Sequence, residues 1–206
     1  MNFLAHLYLG PRGAQQVLGS MLGDFVKGPV HAMALPEGVK EGIWLHRRID
    51  SFTDAHPVVR RSKERVSSDR RRFAGIMVDM FYDHLLARQW RRFSDQPIQV
   101  FTHDMYALLL AQRDDIPDTA WPVIQRMAEY DWLTSYVELS NLHRALDNMS
   151  RRLKRVNTLP GAVAELEADY SGFEADFLEF MPEVAAFATS QAALLAEGID
   201  LNSPHR

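Results

Sequence analysis

The sequence has 206 residues, no cysteine and a formal net charge of -4. A chain of this length can bury one sizeable hydrophobic core, which predicts a single domain over residues 1–206. The lack of cysteine excludes disulfides, thiolate zinc sites and a cysteine nucleophile, and the net negative charge argues against a general nucleic-acid binder.

The first predicted helix is the short amphipathic segment NFLAHLYLG, which ends at Gly10 before a proline. Its apolar run is too short for a signal peptide and has no basic residues before it. No stretch of the sequence approaches the roughly 20 apolar residues that a membrane helix needs. We therefore expect a cytoplasmic protein with no membrane partner.

His6 lies among apolar residues of this helix, and a single histidine in such a place is usually a core residue that hydrogen-bonds a neighbour.

The second predicted helix, AQQVLGSMLGDFVKGP, has Gly19 and Gly23 on one face because they are four residues apart. Glycine costs about 1 kcal/mol in a helix interior, so two at this spacing predict close approach by another backbone. Asp24 follows directly, where the helix is nearest its neighbour. Its side chain is expected either to serve the loop or cap the helix, or to bind a metal ion.

The third predicted helix has Pro36 and Glu37 in its first turn and ends near Ala55, because the residue before Pro57 is disfavoured in the helical region. Imidazole and carboxylate groups recur on it at a spacing of four, in the stripe His46, Asp50 and Asp54. A second such stripe follows in the segment GIMVDMFYDHLLARQWRR, with Asp79, Asp83 and His84.

Apolar residues bracket both stripes, so the carboxylates are expected at or near the buried side, where a carboxylate without a partner is costly. Facing stripes of imidazole and carboxylate supply the nitrogen and oxygen ligands that a divalent cation binds. The alternative is two solvated helix faces whose acids pair with Arg47, Arg48 and Arg88. Each residue taken alone favours that alternative, whereas so many histidines and aspartates in one short stretch favour a metal site.

A basic segment, residues 57–72, lies between the two stripes and carries seven basic and two acidic side chains. A run of charge is more often a solvated face than a binding site. This run adjoins the predicted metal site, however, and stands out on an acidic protein. It therefore indicates a strongly anionic partner.

After Ser94 the sequence predicts only helices, with apolar residues at helical spacing. The aromatic residues near the C-terminus have the same spacing and predict core rather than a cofactor site. No convincing strand, glycine-rich phosphate loop or GxSxG turn occurs. We expect an all-α, single-domain, irregular helical bundle.

Several segments in this order resemble the acyl carrier protein phosphodiesterase family over nearly the whole chain: MNFLAHLYL, MLGDFVKG, GIWLHRRIDSFTDAHPVV, GIMVDMFYDHLLARQW and YDWLTSYVELSNLHRAL. Members of that family remove 4′-phosphopantetheine from holo acyl carrier protein, are activated by manganese, and are regarded as atypical relatives of the HD phosphohydrolases. The resemblance implies an HD-like helical fold, a phosphodiester substrate and Mn²⁺, with Mg²⁺ or another divalent cation as alternatives. The adjacent His-Asp pair of an ordinary HD enzyme is replaced in the metal-rich stretch by Asp83-His84, in the reverse order.

For a phosphodiester substrate, the resemblance implies a metal ion that lowers the pKa of bound water and binds a phosphoryl oxygen. We expect the ligands to come from the set Asp24, His46, Asp50, Asp83 and His84. Further residues are expected to orient these ligands through hydrogen bonds, namely His6, Asp54 and Asp79. A histidine of the set that binds no metal, His46 or His84, would be the general acid, and Arg47 or Arg48 would hold the phosphate.

The acidic carrier protein is the expected partner of the basic segment, through Arg60, Arg61, Arg65, Arg70, Arg71 and Arg72. Two alternatives stay open. An HD-type hydrolase of free or cyclic nucleotides would need the same metal site but not the basic segment. A helical binding protein without catalysis would use the basic segment for nucleic acid or another acidic surface.

Overall fold

The structure is a computed structural model that describes residues 1–152, 156–199 and 201. In chain order the α-helices of this part are α1 (Phe3–Leu9), α2 (Ala14–Leu22), α3 (Glu37–Ala55), α4 (Pro57–Arg65), α5 (Ala74–Arg88), α6 (Ile98–Leu110), α7 (Trp121–Glu129), α8 (Trp132–Ser135), α9 (Leu139–Arg152), α10 (Val163–Ala168) and α11 (Tyr170–Ala196). These residues form no strand, so the predicted all-α bundle is confirmed.

Helix α3 begins at Glu37 and ends at Ala55, as the flanking prolines predict. His56 follows in extended conformation, and its ring accepts a hydrogen bond from the backbone N–H of Val58 at 3.3 Å. The chain therefore turns between α3 and α4 at a residue that ends one helix and caps the next. Pro57 then occupies the first position of α4, where a missing N–H costs nothing.

Helices α2 and α3 meet through two glycines. A Cβ atom on Gly19 would lie 2.2 Å from the carbonyl oxygen of Val39 and 2.7 Å from the Cα of Gly42. A Cβ atom on Gly42 would lie 2.3 Å from the carbonyl oxygen of Gln16. The close backbone approach predicted from Gly19 and Gly23 is confirmed at Gly19, where it sets the distance between the two helices that carry Ser20 and His46. At Gly23 the prediction is wrong, because a Cβ atom there would meet the side-chain ring of His46 and not a backbone.

The hydrophobic core is centred on α5, most of which is buried, and on α11, which packs against α3, α4 and α5. The ring of Phe81 meets that of Phe173 edge-on at 5.2 Å between centroids, and Tyr82 meets Phe177 in the same way at 5.5 Å. The prediction of core residues is confirmed for Phe173, Phe177 and Phe180 of the C-terminal helix, whereas Tyr170 and Phe187 are partly exposed. Across residues 1–152 and 156–199, the structure has no helix with the length and hydropathy that crossing a membrane requires. The cytoplasmic location stays a prediction.

We predict that Gly19→Val lowers the free energy of unfolding by about 2 kcal/mol, because the added atoms push α2 away from α3. Urea denaturation measures the change. The matched control is Gly75→Ala in α5, where a Cβ atom would meet nothing closer than Lys63 Cε at 3.9 Å; this variant should keep full stability. Unchanged stability of Gly19→Val would contradict the close contact.

Candidate metal centre

Three side chains from two helices converge, namely His6 of α1 and His46 and Asp50 of α3. Nε2 of His6 lies 3.0 Å from Oδ1 of Asp50, and Nε2 of His46 lies 3.1 Å from Oδ2 of the same carboxylate. The two imidazole rings stack at 3.7 Å between centroids, with 14° between their planes. One potential ligand atom from each residue lies within 4.8 Å of the others, so the group can hold a metal ion.

The orientation of His46 is fixed by its other ring nitrogen. Nδ1 donates a hydrogen bond to the carbonyl oxygen of Ser20 at 2.8 Å, which leaves Nε2 turned toward Asp50. Gly23 makes room for this ring, since a Cβ atom there would lie 2.3 Å from two of its carbon atoms. The close α2–α3 contact therefore also selects the tautomer of His46 that can bind a metal ion.

Asp24 lies beside this group, next to His46. Its Oδ1 lies 3.5 Å from Nε2 of His46, and its side chain is 50% exposed. The carboxylate of Asp50 is less exposed, at 37%. Asp24 lies next to the group of His6, His46 and Asp50 but is not part of it, and its role as a metal ligand stays a prediction.

The acid–base properties of the group follow from burial and from these hydrogen bonds. Burial, together with the smaller effect of the neighbouring His46, lowers the pKa of His6 to about 4, against the opposite effect of its hydrogen bond to Asp50. Burial also lowers the pKa of His46, but its hydrogen bonds to Asp24 and Asp50 outweigh this and raise the pKa to about 9. Burial raises the pKa of Asp50, and its hydrogen bonds to His46 and His6 more than offset this, so the pKa lies well below its usual range. Without a metal ion, His46 carries a proton that a cation would displace.

Asp83 does not belong to this group. It is fully buried in α5, and its two carboxylate oxygens accept the backbone N–H groups of Leu4 and Ala5 at 2.9 Å and 3.1 Å. Burial raises the pKa of Asp83 to about 7, against the effect of the two amide donors. Asp83 therefore supplies acceptors for the otherwise unpaired N–H groups in the first turn of α1, the helix that carries His6.

His84 also lies outside the group. Its Nδ1 donates to the carbonyl oxygen of Tyr136 at 2.7 Å, and its Nε2 is 3.1 Å from the hydroxyl of Tyr170, which can donate to it. Both ring nitrogens are occupied by these contacts. The ring joins α5 to the chain after α8 and to the start of α11, and the role of His84 as a ligand or general acid stays a prediction.

The residues expected to support the ligands have separate partners. Asp79 Oδ1 lies 3.0 Å from the amino nitrogen of Met1, which is itself 3.5 Å from Asp50 Oδ1. Asp79 is therefore connected to the group only through the amino nitrogen of Met1. Asp54 pairs instead with Lys63 at 2.8 Å, and its side chain is 76% exposed. His6, expected only to orient a ligand, offers its own ring nitrogen to the group.

Arg47 and Arg48 follow His46 directly on α3. The guanidinium of Arg47 donates to the carbonyl oxygens of Val26 at 2.9 Å and Gly28 at 2.6 Å. Arg48 donates to Gln191 Oε1 at 3.0 Å, and its guanidinium lies over the rings of Trp44 and Phe187. Both arginines are held by uncharged partners, and their role as a phosphate clamp stays a prediction.

Most of the expected carrier-binding arginines face acidic residues of α11 or nearby carbonyls. Arg61 and Arg65 both donate to the buried Asp176, at 2.6 Å and 2.7 Å. Arg70 pairs with Glu165 at 3.3 Å, and Arg71 donates to backbone carbonyls of residues 64 and 66. Among the residues that the structure describes, Arg60 and Arg72 have no carboxylate within 4.0 Å.

Comparison with known proteins decides the family. The family model described as "Acyl carrier protein phosphodiesterase" matches residues 1–184. The chain belongs to the acyl carrier protein phosphodiesterase family. Acyl carrier protein phosphodiesterases from Salmonella agona (strain SL483) and Salmonella newport (strain SL254) are each 35% identical to it over 193 residues, which is 93% of this chain and 100% of the relative. No solved structure matches, so the HD-like character of this acyl carrier protein phosphodiesterase family member stays a prediction.

We predict that His46→Ala and Asp50→Asn each lower the affinity for Mn²⁺ more than about 100-fold, because each removes an atom of the group. Isothermal titration calorimetry of the metal-free protein measures this. His103→Ala, a change at an exposed histidine of α6, is the matched control and should bind Mn²⁺ like the wild type. Wild-type affinity in His46→Ala would contradict the assignment.

A second prediction concerns Asp83. The variant Asp83→Asn turns one acceptor oxygen into an NH₂ group that faces a backbone donor of α1, so the free energy of unfolding should fall by about 1–3 kcal/mol. Mn²⁺ affinity should fall as well, because α1 positions His6. Urea denaturation and metal titration check both effects. Asp104→Asn, at an exposed carboxylate that accepts from Gln96 at 2.9 Å, serves as control. If Asp83→Asn kept both properties, Asp83 would not anchor α1.

Proposed function

We propose that this chain hydrolyses the phosphodiester bond between holo acyl carrier protein and its 4′-phosphopantetheine group, with the help of a divalent metal ion. The family name supports the substrate. The proposed metal-dependent chemistry rests on one structural observation: His6 and His46 both lie against the carboxylate of Asp50. A buried pair of imidazoles with a carboxylate between them is a costly arrangement unless its groups share protons or a cation.

The donor set fits a divalent cation. His6 has a pKa of about 4, so it offers a neutral ring near pH 7. His46 is turned by Ser20 so that Nε2 faces the group. Two imidazole nitrogens with one or two carboxylates form a mixed nitrogen and oxygen set, which suits Mn²⁺ better than Mg²⁺, an ion that prefers oxygen ligands. The bound ion would supply a water of lowered pKa and a contact to a phosphoryl oxygen.

The residues of the chain then have distinct tasks. Asp50 bridges the two imidazoles and holds both rings in place. Asp24, half exposed at 3.5 Å from His46 Nε2, is positioned to accept a hydrogen bond from the attacking water at Oδ1. In the reaction, the water oxygen bonds to phosphorus, the bond from phosphorus to the serine oxygen of the carrier breaks, and a proton from the water ends on that serine oxygen. The products are the apo carrier and 4′-phosphopantetheine.

Mass spectrometry of purified holo acyl carrier protein tests this function. With the wild-type protein and Mn²⁺, we expect the carrier to lose the mass of 4′-phosphopantetheine. Because a bound metal ion would supply the water of lowered pKa, a chelator should stop the reaction, and His46→Ala should slow it at least about 1000-fold. His103→Ala is the control with an unchanged rate. An intact carrier after incubation with metal-loaded protein, together with hydrolysis of free nucleotides, would contradict the proposed substrate.

A further inference from the structure

We propose that Arg47 is a positioning residue for Asp24: it holds the segment after α2, residues 23–28, against α3 and so keeps the carboxylate of Asp24 beside His46. The inference rests on the proposed function, in which Asp24 accepts a hydrogen bond from the attacking water. It gives Arg47 a task within the site, in place of the direct contact with phosphate that was expected for this residue.

The end of α2 and the residues that follow it lie along the ring of His46. The carbonyl oxygen of Ser20 accepts from Nδ1 of the ring, and a Cβ atom on Gly23 would lie 2.3 Å from two of its carbon atoms. Asp24 comes next, with its Oδ1 at 3.5 Å from Nε2. Its side chain is 50% exposed, so water competes with His46 for this carboxylate. The position of Asp24 therefore depends on how firmly the backbone on both sides of it is held.

On the side of α2, the backbone is held by one carbonyl oxygen. Leu22 accepts from the N–H groups of Phe25 at 2.9 Å and Val26 at 3.1 Å, so one more turn continues past the last residue of the helix. Lys27 and Gly28 follow this turn and are exposed. A last turn of this kind opens readily unless the chain beyond it is also held.

Arg47 holds the chain beyond the turn. Its two terminal guanidinium nitrogens donate to the carbonyl oxygens of Val26 at 2.9 Å and Gly28 at 2.6 Å. The guanidinium is planar and presents its donors in a fixed geometry, so one side chain fixes two carbonyl groups. Because Arg47 follows His46 directly on α3, the same helix holds the ring and the segment that faces it. The two bonds thus stabilise Asp24 in its place beside Nε2.

The same bonds argue against a direct contact between Arg47 and the phosphate. A bidentate contact of the two terminal nitrogens with phosphate oxygens would compete with their bonds to Val26 and Gly28. It would also loosen the segment that carries Asp24 at the moment when substrate binds. The two roles differ in one measurable respect: a positioning residue acts through Asp24, whereas a phosphate contact acts without it.

A double-mutant cycle on Arg47 and Asp24 tests the proposal. The readout is the ¹⁵N resonance of Nε2 of His46, recorded by NMR on the metal-free protein at one fixed pH, because this nitrogen faces Asp24. Asp24→Asn weakens the contact and should shift the resonance. Arg47→Met keeps a long, unbranched side chain that suits a helix but cannot donate, so it should shift the resonance in the same direction. Added to Asp24→Asn, it should cause no further shift.

Arg126→Met makes the same change at an exposed arginine of α7 and should leave the resonance of His46 as in the wild type. If Arg47→Met does not fold, Arg47→Lys takes its place in the cycle, because lysine keeps the charge but has only one nitrogen from which to donate. A wild-type resonance in the folded Arg47 variant would overturn the proposal. An equal shift with and without Asp24→Asn would do the same, since Arg47 would then act on His46 independently of Asp24.

Turnover of holo carrier with Mn²⁺ gives a second readout. Arg47→Met should lower kcat about ten-fold at an unchanged KM, and less than about two-fold when Asp24→Asn is already present. An equal loss in both backgrounds, together with a raised KM, would indicate direct contact with the substrate and contradict the positioning role. If the metal-loaded wild type releases no apo carrier, the proposed function fails, whereas the NMR cycle still decides whether Arg47 positions Asp24.

Discussion

The site depends on one carboxylate, Asp50, whose two oxygens meet imidazoles from different helices. His6 and His46 are both nearly fully buried, and burying two such rings costs free energy unless their polar atoms are paired. Asp50 offsets that cost at the two Nε2 atoms and brings them together, whereas Nδ1 of His6 is buried without a hydrogen-bond partner among the described residues. The same contacts depress the pKa of Asp50, so the carboxylate stays charged and the group attracts a cation.

A different part of the structure holds each ring in place for its contact with Asp50. His46 depends on the close packing of α2 and α3 at Gly19 and Gly42, which places the Ser20 carbonyl behind the ring. His6 depends on α1, whose first turn is held by the buried carboxylate of Asp83. Helices rather than loops therefore fix both imidazoles, as a site with a defined geometry requires.

Sequence reasoning recovered what depends on local spacing and missed what depends on tertiary packing. The stripe of His46 and Asp50, the bounds of α3 and the contact at Gly19 follow from helical periodicity and from proline and glycine chemistry. The spacing of Asp83 and His84 was equally suggestive, but both side chains serve the fold, since a buried carboxylate can cap a helix as well as bind a metal ion. The place of His6 could not be deduced, because only packing brings α1 against α3.

Anomalous diffraction at the manganese edge, from crystals grown with Mn²⁺, tests the central claim most directly. The account predicts one strong peak bonded to Nε2 of His6, Nε2 of His46 and the carboxylate of Asp50, with Asp83 still bonded to the N–H groups of α1. A peak bonded to Asp83 or His84, or no peak near Asp50, would contradict it.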